Sequence, residues 1–245
     1  MGDCVEIFGT RVDAVDADKA VARVIGMALA DRASYVVTPN VEIVMAARSN
    51  ERLRRALNGA DLAVGDGVGL VWASRVLGRP LPARVSGIDL MTDLLREAPR
   101  HGLRVFLLGS TKEIVAAAAE RIRSTMNAEV AGFHHGFFSP EEEQKVVDSI
   151  LRTRPHIIFV GMGSPRQELF MARNVGLIGK GAMIAVGGSF DVLSGAKRRA
   201  PSLLRRLGLE WMFRLISEPR RFRRMMALPR FAALVLLTRL KLVKE

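Results

Sequence analysis

Four apolar runs in this chain, at residues 61–69, 103–111, 156–168 and 182–191, each end in a glycine-bearing turn and pass straight into a helical pattern. Few architectures accept that repeat. Apolar runs with little polar alternation read as strands buried on both faces. Helical stretches between them serve as the crossovers that parallel strands require. The pattern predicts an α/β fold, a mostly parallel sheet with helices on both faces and a ligand pocket at the strand ends.

Length and composition set the outer bounds. At 245 residues, 49% of them hydrophobic, the chain is long enough for one domain with a substantial core and an appendage. Its single cysteine, Cys4, excludes a disulfide framework and argues for a reducing compartment. The first residues lack a basic segment leading into an apolar core, so no secretory signal peptide is expected. Charge is distributed unevenly. Residues 196–245 hold 14 Lys or Arg against three acids, so nearly all of the net +12 lies in that stretch. The division expected is an α/β core over residues 1–195 and a basic helical C-terminal appendage over 196–245. A basic block of this kind seeks phosphates, whether of nucleic acid, lipid headgroups or a diphosphate substrate.

The turn at Asp66-Gly67-Val68-Gly69 is the most informative site signal. Its glycines permit positive φ and close approach by another molecule. A carboxylate there can be a base, a sugar-hydroxyl anchor, a metal ligand or a turn cap. Thr38-Pro39-Asn40 follows another β-branched run, with Asn40 placed to cap the next helix and Thr38 aimed at the same crevice. Arg84, on an irregular stretch before a helix capped by Ser86, either clamps an anion or is simply solvated. Gly109-Ser110-Thr111 opens a helix and offers an anion or ribose site, although it is neither G-x-G-x-x-G nor a Walker loop. Gln167 falls in the first turn of the helix after Gly161-Met162-Gly163, able to offer both a donor and an acceptor. Phe137, on a loop after a strand, and Asp191, beyond Gly187-Gly188, complete the strand-end set.

Metal is not expected. Asp16 and Asp18 form a D-x-D, but acids at a helix start are its ordinary reading. His134 and His135 have no Cys or acidic partner at ligand spacing. The basic tail combines arginines at 220, 221, 223 and 224 on one helical arc with Phe222, Met225 and Met226 on the opposite one. Past Pro229 comes an apolar run of seven residues, far short of the roughly 20 that cross a bilayer. This is the pattern of insertion at an anionic membrane surface. The exposed Met and Phe side chains can equally pack on the globule or on a second copy of the chain in a homo-oligomer.

Taken in order, Thr38-Pro-Asn40, Asp66-Gly67-x-Gly69, Arg84-x-x-Gly87-x-Asp89 and Gly161-x-Gly163-x-Pro165-x-Gln167-Glu168 form a series. It continues with Gly187-Gly-x-Phe190-Asp191, Arg199-Ala-Pro201 and Gly208-Leu-Glu210-Trp211 through Arg214 to Glu218-Pro219. The series resembles the WecG/TagA/CpsF glycosyltransferases, glycosyltransferase family 26, over nearly the whole chain. The resemblance implies a Rossmann-like fold and an inverting transfer of a sugar from a UDP-sugar. The implied acceptor is a polyprenyl-diphosphate-linked saccharide at the inner, cytoplasmic face of the bacterial membrane, in cell-surface polysaccharide synthesis. It implies Asp66 as general base, Thr38 and Asn40 at donor or acceptor, and tail arginines at the diphosphate. With no metal cofactor expected, Arg84, Arg214, Arg221 and Arg224 are the cations available to the departing UDP, since the arginine fork suits phosphate oxygens. Gln167 joins the substrate contacts; Gly109, Ser110, Phe137, Gly163 and Asp191 are expected on the nucleotide side.

Two other classes fit less well. A dinucleotide oxidoreductase needs G-x-G-x-x-G with an acid about 20 residues on, which no strand here provides. A nucleic-acid binder would not carry an apolar run within its basic arm and would offer more aromatic stacking.

Overall fold

The computed structural model describes residues 4–218 and 222–242. The chain opens with an antiparallel hairpin, β1 (Cys4–Ile7) and β2 (Thr10–Asp13), followed by α1 (Ala17–Leu29). Then come β3 (Ala33–Val37), α2 (Val41–Ser49), α3 (Glu51–Asn58), β4 (Leu62–Ala63), α4 (Val68–Val76) and α5 (Gly87–Glu97). The second half continues with β5 (Arg104–Gly109), α6 (Lys112–Met126), β6 (Glu129–His134), α7 (Glu143–Thr153), β7 (Ile157–Gly161), α8 (Arg166–Ile178) and β8 (Gly181–Ala185). Five shorter or later helices close the chain: α9 (Ser189–Leu193), α10 (Ser202–Arg206), α11 (Glu210–Ser217), α12 (Phe222–Met225) and α13 (Ala227–Arg239).

Strands β3 to β8 form one sheet in the order β4-β3-β8-β7-β5-β6, and every pairing in it is parallel. The α/β expectation holds, with six parallel strands. Side-chain alternation explains the two-sided burial. On one face Val36, Val105, Leu107, Ile157, Phe159, Ala182 and Ile184 meet α1, α5, α6 and α9. On the other, Tyr35, Val37, Phe106, Leu108, Ile158, Val160 and Met183 meet α2, α3, α7 and α8. The short edge strand β4 is covered by the hairpin: Asp13 bridges to Val64, and its Oδ2 accepts the Ala63 N–H at 2.7 Å. That contact covers the β4 edge against pairing with another chain.

The helices begin where short polar residues cap them. Asp16, Asn40, Ser86 and Thr111 each accept the backbone N–H three residues on, of Lys19, Ile43, Asp89 and Ile114. Asp16 of the D-x-D is therefore a helix cap. The C-terminal segment packs on a third cluster, in which Phe231 and Val235 of α13 join Ile7, Phe8, Val41, Val44 and Leu70. Phe231 meets the Phe8 ring edge-on, with centroids 5.5 Å apart. Helix α13 runs through Pro229 rather than beginning after it. In the first turn, a missing N–H removes no intrahelical bond.

The strand ends close together only because they carry glycine. A Cβ on Gly161 would lie 2.7 Å from both the Gly187 carbonyl and the Phe190 ring, and one on Gly109 would lie 2.3 Å from the Gly161 carbonyl. Gly161→Ala should therefore lower stability by about 1–3 kcal/mol in urea unfolding. Gly176→Ala, in α8 with nothing within 4 Å, should be neutral or stabilise by up to about 1 kcal/mol. Equal effects at the two positions would contradict this account of the strand ends.

Candidate active site

Helix α2 leaves β3 toward one face of the sheet, and α9 leaves the neighbouring β8 toward the other. Divergence of this kind opens a crevice between adjacent strand ends. Here it becomes a cavity of about 710 Å³. Thr38 sits at its floor, buried, and its Oγ1 donates to the Ala185 carbonyl at 3.1 Å, stitching β3 to β8. Asn40 lines the cavity while its Oδ1 caps α2 at the Ile43 N–H, 3.0 Å away. The cap reading of Asn40 is borne out, and because the cap uses only the oxygen, the cap does not occupy the amide nitrogen.

Asp66 also lines the cavity. Its backbone N–H donates to the Pro39 carbonyl at 2.8 Å, so the two motif turns are bonded to each other. The next residue, Gly67, takes φ +99° and begins α4 without any side-chain cap. The residue at the N-cap position of α4 thus has no side chain with which to cap it. No group of three or more His, Cys, Asp or Glu among the described residues could hold a metal ion.

Arg84 lines the cavity too, and it is neither solvated nor uncommitted. Its Nη2 lies 3.7 Å from Asp89 Oδ2 and its Nη1 3.5 Å from Glu210 Oε2. Asp89 in turn receives the Ser86 hydroxyl at 2.5 Å and stands 2.6 Å from Arg199 Nη2. Burial alone would raise the Asp89 carboxyl. The Ser86 hydroxyl and the Arg199 and Arg84 guanidinium groups outweigh it and hold the carboxyl below its ordinary value.

Gln167 is buried at the cavity wall, but it does not have both its functions to offer. Its Oε1 accepts the Gly187 N–H at 3.1 Å and its Nε2 donates to Glu168 Oε1 at 2.8 Å. The Gly187 donor fixes which end of the amide is oxygen, so a ligand meets only the remaining N–H. Burial pushes the Glu168 carboxyl above its usual value, only partly offset by the Gln167 hydrogen bond.

The residues expected on the nucleotide side fall into two groups. Gly163 lines the cavity; Gly109, Ser110, Phe137 and Asp191 do not. They gather at the next strand ends, where the Ser110 N–H donates to the Gly161 carbonyl at 3.1 Å and its hydroxyl donates to Asp191 Oδ1 at 3.1 Å. Asp191 is also paired with Lys197 at 3.1 Å, and Lys197 reaches Glu218 at 3.3 Å. Burial would lower the Lys197 ammonium, but the two carboxylates prevail and raise it. Phe137 is largely exposed on the loop after β6.

The opposite wall is apolar and was not anticipated. Val68 and Trp72 of α4 face Trp211 and Leu215 of α11, with Phe222, Met225, Met226 and Phe231 beyond them. Both pairs, Val68/Trp72 and Trp211/Leu215, are i,i+4 pairs, and that spacing of partly exposed apolar residues was the readable signal. The C-terminal segment thus supplies this wall, together with Arg224 and Glu210. It sits close on the Asp66 turn: a Cβ on Gly208 would meet Val68 at 2.7 Å. Of the tail arginines expected at the site, Arg224 lines the cavity. Arg221 and the Arg214 side chain lie outside the described residues.

A strand-end crevice with a carboxylate on its floor, cations at its side and an apolar wall suits a ligand that is polar at one end and lipid-like at the other. The model of the glycosyl transferase WecG/TagA/CpsF family matches residues 5–245, and the chain belongs to that family. It is a glycosyltransferase. A protein of Bacillus spizizenii is 38% identical over 207 residues, which are 84% of this chain and 80% of that one. It is named N-acetylglucosaminyldiphosphoundecaprenol N-acetyl-beta-D-mannosaminyltransferase. A Staphylococcus aureus protein of the same name is 38% identical over 197 residues, 80% of this chain and 77% of its own.

The Gln167 geometry makes a specific prediction. Gln167→Leu removes the ligand-facing N–H and leaves the Gly187 N–H without its acceptor. Stability in urea should fall by about 1–3 kcal/mol, and the KM for donor should rise. An unchanged KM would remove Gln167 from the substrate contacts.

Proposed function

We propose that this chain transfers N-acetylmannosamine from its UDP derivative to a polyprenyl-diphosphate-linked N-acetylglucosamine, with inversion at the sugar. The observation that carries this reading is the two-sided cavity, with Asp66 and the threonine and asparagine turns on a polar floor and the apolar wall of the C-terminal segment opposite. A diphosphate-linked sugar suits the floor; the first isoprene units suit the wall. The two relatives carry the name of this activity.

In the reaction, Asp66 takes the proton of the acceptor hydroxyl as that oxygen attacks the anomeric carbon. The bond to the UDP oxygen breaks on the far side, which inverts the centre. Single displacement needs one base within about 3 Å of that hydroxyl in the reactive complex. Negative charge grows on the departing diphosphate and needs positive charge or aligned N–H groups around it. Arg84, Arg224 and the first-turn N–H groups of α4 are assigned to that need, with no metal required. Arg214 and Arg221 are assigned to the same diphosphate. Gln167 and Asn40 each present N–H to sugar or phosphate oxygens. Gly163 adjoins the nucleotide, with Gly109, Ser110, Phe137 and Asp191 as its outer contacts.

The C-terminal segment is also assigned to the cytoplasmic membrane face. No helix among the described residues is long and apolar enough to cross a membrane. Leu203, Leu207, Ile216, Phe222, Leu240 and Leu242 are nevertheless well exposed in a strongly basic segment. Apolar insertion and anionic lipid reinforce each other there, each Lys or Arg contributing about 1 kcal/mol near the surface.

Two measurements test this reading. With UDP-N-acetylmannosamine and a defined polyprenyl-diphosphate N-acetylglucosamine, wild-type protein should turn over equally with and without chelator. Asp66→Asn should lose at least about 100-fold in kcat while still binding UDP. Near-normal turnover by that variant removes Asp66 as the base, and complete loss in chelator restores a metal to the mechanism. In flotation with vesicles containing anionic phosphatidylglycerol, full-length protein should rise with the lipid and be released by high salt. A protein that stays at the bottom at low salt rules out membrane docking.

A further inference from the structure

We propose that Asp89 is a positioning residue that ties docking of the C-terminal segment to the aim of Arg84 into the cavity. Four side chains form an alternating series: Arg199, Asp89, Arg84 and Glu210, with closest approaches of 2.6, 3.7 and 3.5 Å. The two middle members belong to the core, on and just before α5. The two outer ones belong to the C-terminal segment, on either side of α10. Arg84 thus points into the cavity while held between a core carboxylate and a carboxylate of the segment that walls the cavity.

The chemistry makes Asp89 the pin of this series. Its position is rigid, because Ser86 caps α5 and also donates its hydroxyl to Asp89 at 2.5 Å. Two guanidinium groups converge on that one carboxylate from different parts of the chain. Without its charge, Arg199 and Arg84 lose their shared counter-charge and repel each other across the gap. Removing one partner of a partly buried ion pair leaves the other uncompensated, which costs more than the pair contributed. Arg84 is then drawn to Glu210 alone, and the segment bearing Glu210 loses the Arg199 anchor. A second seam, in which Lys197 joins Asp191 and Glu218, lies elsewhere and cannot orient Arg84.

The part of this inference that concerns Arg84 at the diphosphate rests on the transfer reaction proposed above; the docking part does not. The test uses full-length Asp89→Asn, Arg199→Gln, their double variant and Arg199→Lys. Amide hydrogen exchange without ligand reads docking, and donor KM and kcat read the aim of Arg84. Both single variants should speed exchange in residues 200–217 and 227–239 by about fivefold or more, leaving α1 and α6 unchanged. Donor KM should rise about five- to tenfold with kcat changed less, as expected when an interaction of about 1 kcal/mol is lost from binding. The double variant should be no worse than the worse single, because both remove the same link, and Arg199→Lys should restore part of the protection. A merely structural Asp89 would instead speed exchange throughout the core and leave KM alone. Unchanged exchange in residues 200–239, or effects of the two substitutions that multiply independently, would overturn the proposal. If Asp89→Asn loosens the whole core, Arg199→Gln decides, since it leaves the Ser86 cap intact. Faster exchange in a protein whose wild type turns over no nucleotide sugar supports the coupling and overturns the reaction.

Discussion

Burying both faces of a parallel sheet leaves polar chemistry one place to gather, at the ends of the strands. Each of the inner strands alternates its side chains between two apolar layers, so none can present a charge along its length. Thr38, Asp66, Gly163 and Gly187 all follow strands at the same end. Their closeness depends on absent side chains, since the Gly161 and Gly109 contacts admit no Cβ. Divergence of α2 and α9 then turns the meeting of β3 and β8 into a cavity. The geometry of the candidate site is in this sense a by-product of packing.

The sheet supplies only half of that cavity. Its other wall comes from the last fifth of the chain, which contacts the core through packing of Phe231 on Phe8 and through two ionic seams. A basic segment with exposed leucines near its end has reason to bind anionic lipid. It also has reason to stay on the core, because Phe231 and Val235 are buried there. The same segment therefore lines a polar cavity on one side and exposes leucines on the other. The acceptor of the proposed reaction, with a charged head and an isoprenoid tail, suits both sides.

Much of this was legible in the residues, for reasons that are local. Strand, turn and helix follow from apolar runs, glycine and capping residues within a few positions of one another, and these predicted the sheet and the caps at Asn40 and Ser86. Asp66 was placed at the crevice by the same logic. Long-range partners were not legible. Nothing near Arg84 shows that it would be shared between Asp89 and Glu210, 126 residues apart from end to end of the trio. Nor does the sequence around Gln167 show that Gly187 would occupy its oxygen. Asp191 and Ser110, both expected on the nucleotide side, bond to each other outside the main cavity. The apolar wall was missed because an i,i+4 pair of large residues on a helix reads as core until the opposite surface is known.

The proposed division between a core and a docking segment has a mechanistic consequence. Asp66 is held by the core, through the bond from its own N–H to the Pro39 carbonyl. Arg224 and Glu210, in contrast, arrive with the C-terminal segment, and Arg84 is oriented partly by it. A general base must keep its distance to one hydroxyl, which favours attachment to the sheet. Charge for a departing diphosphate must surround a larger group that enters and leaves, which favours attachment to a segment that closes over it. Under the proposed roles, a base on the core and leaving-group cations at the seam would make the site complete only when that segment is in place. In the proposed reaction, a segment that also docked on the membrane would complete the site at the surface holding a lipid-linked acceptor.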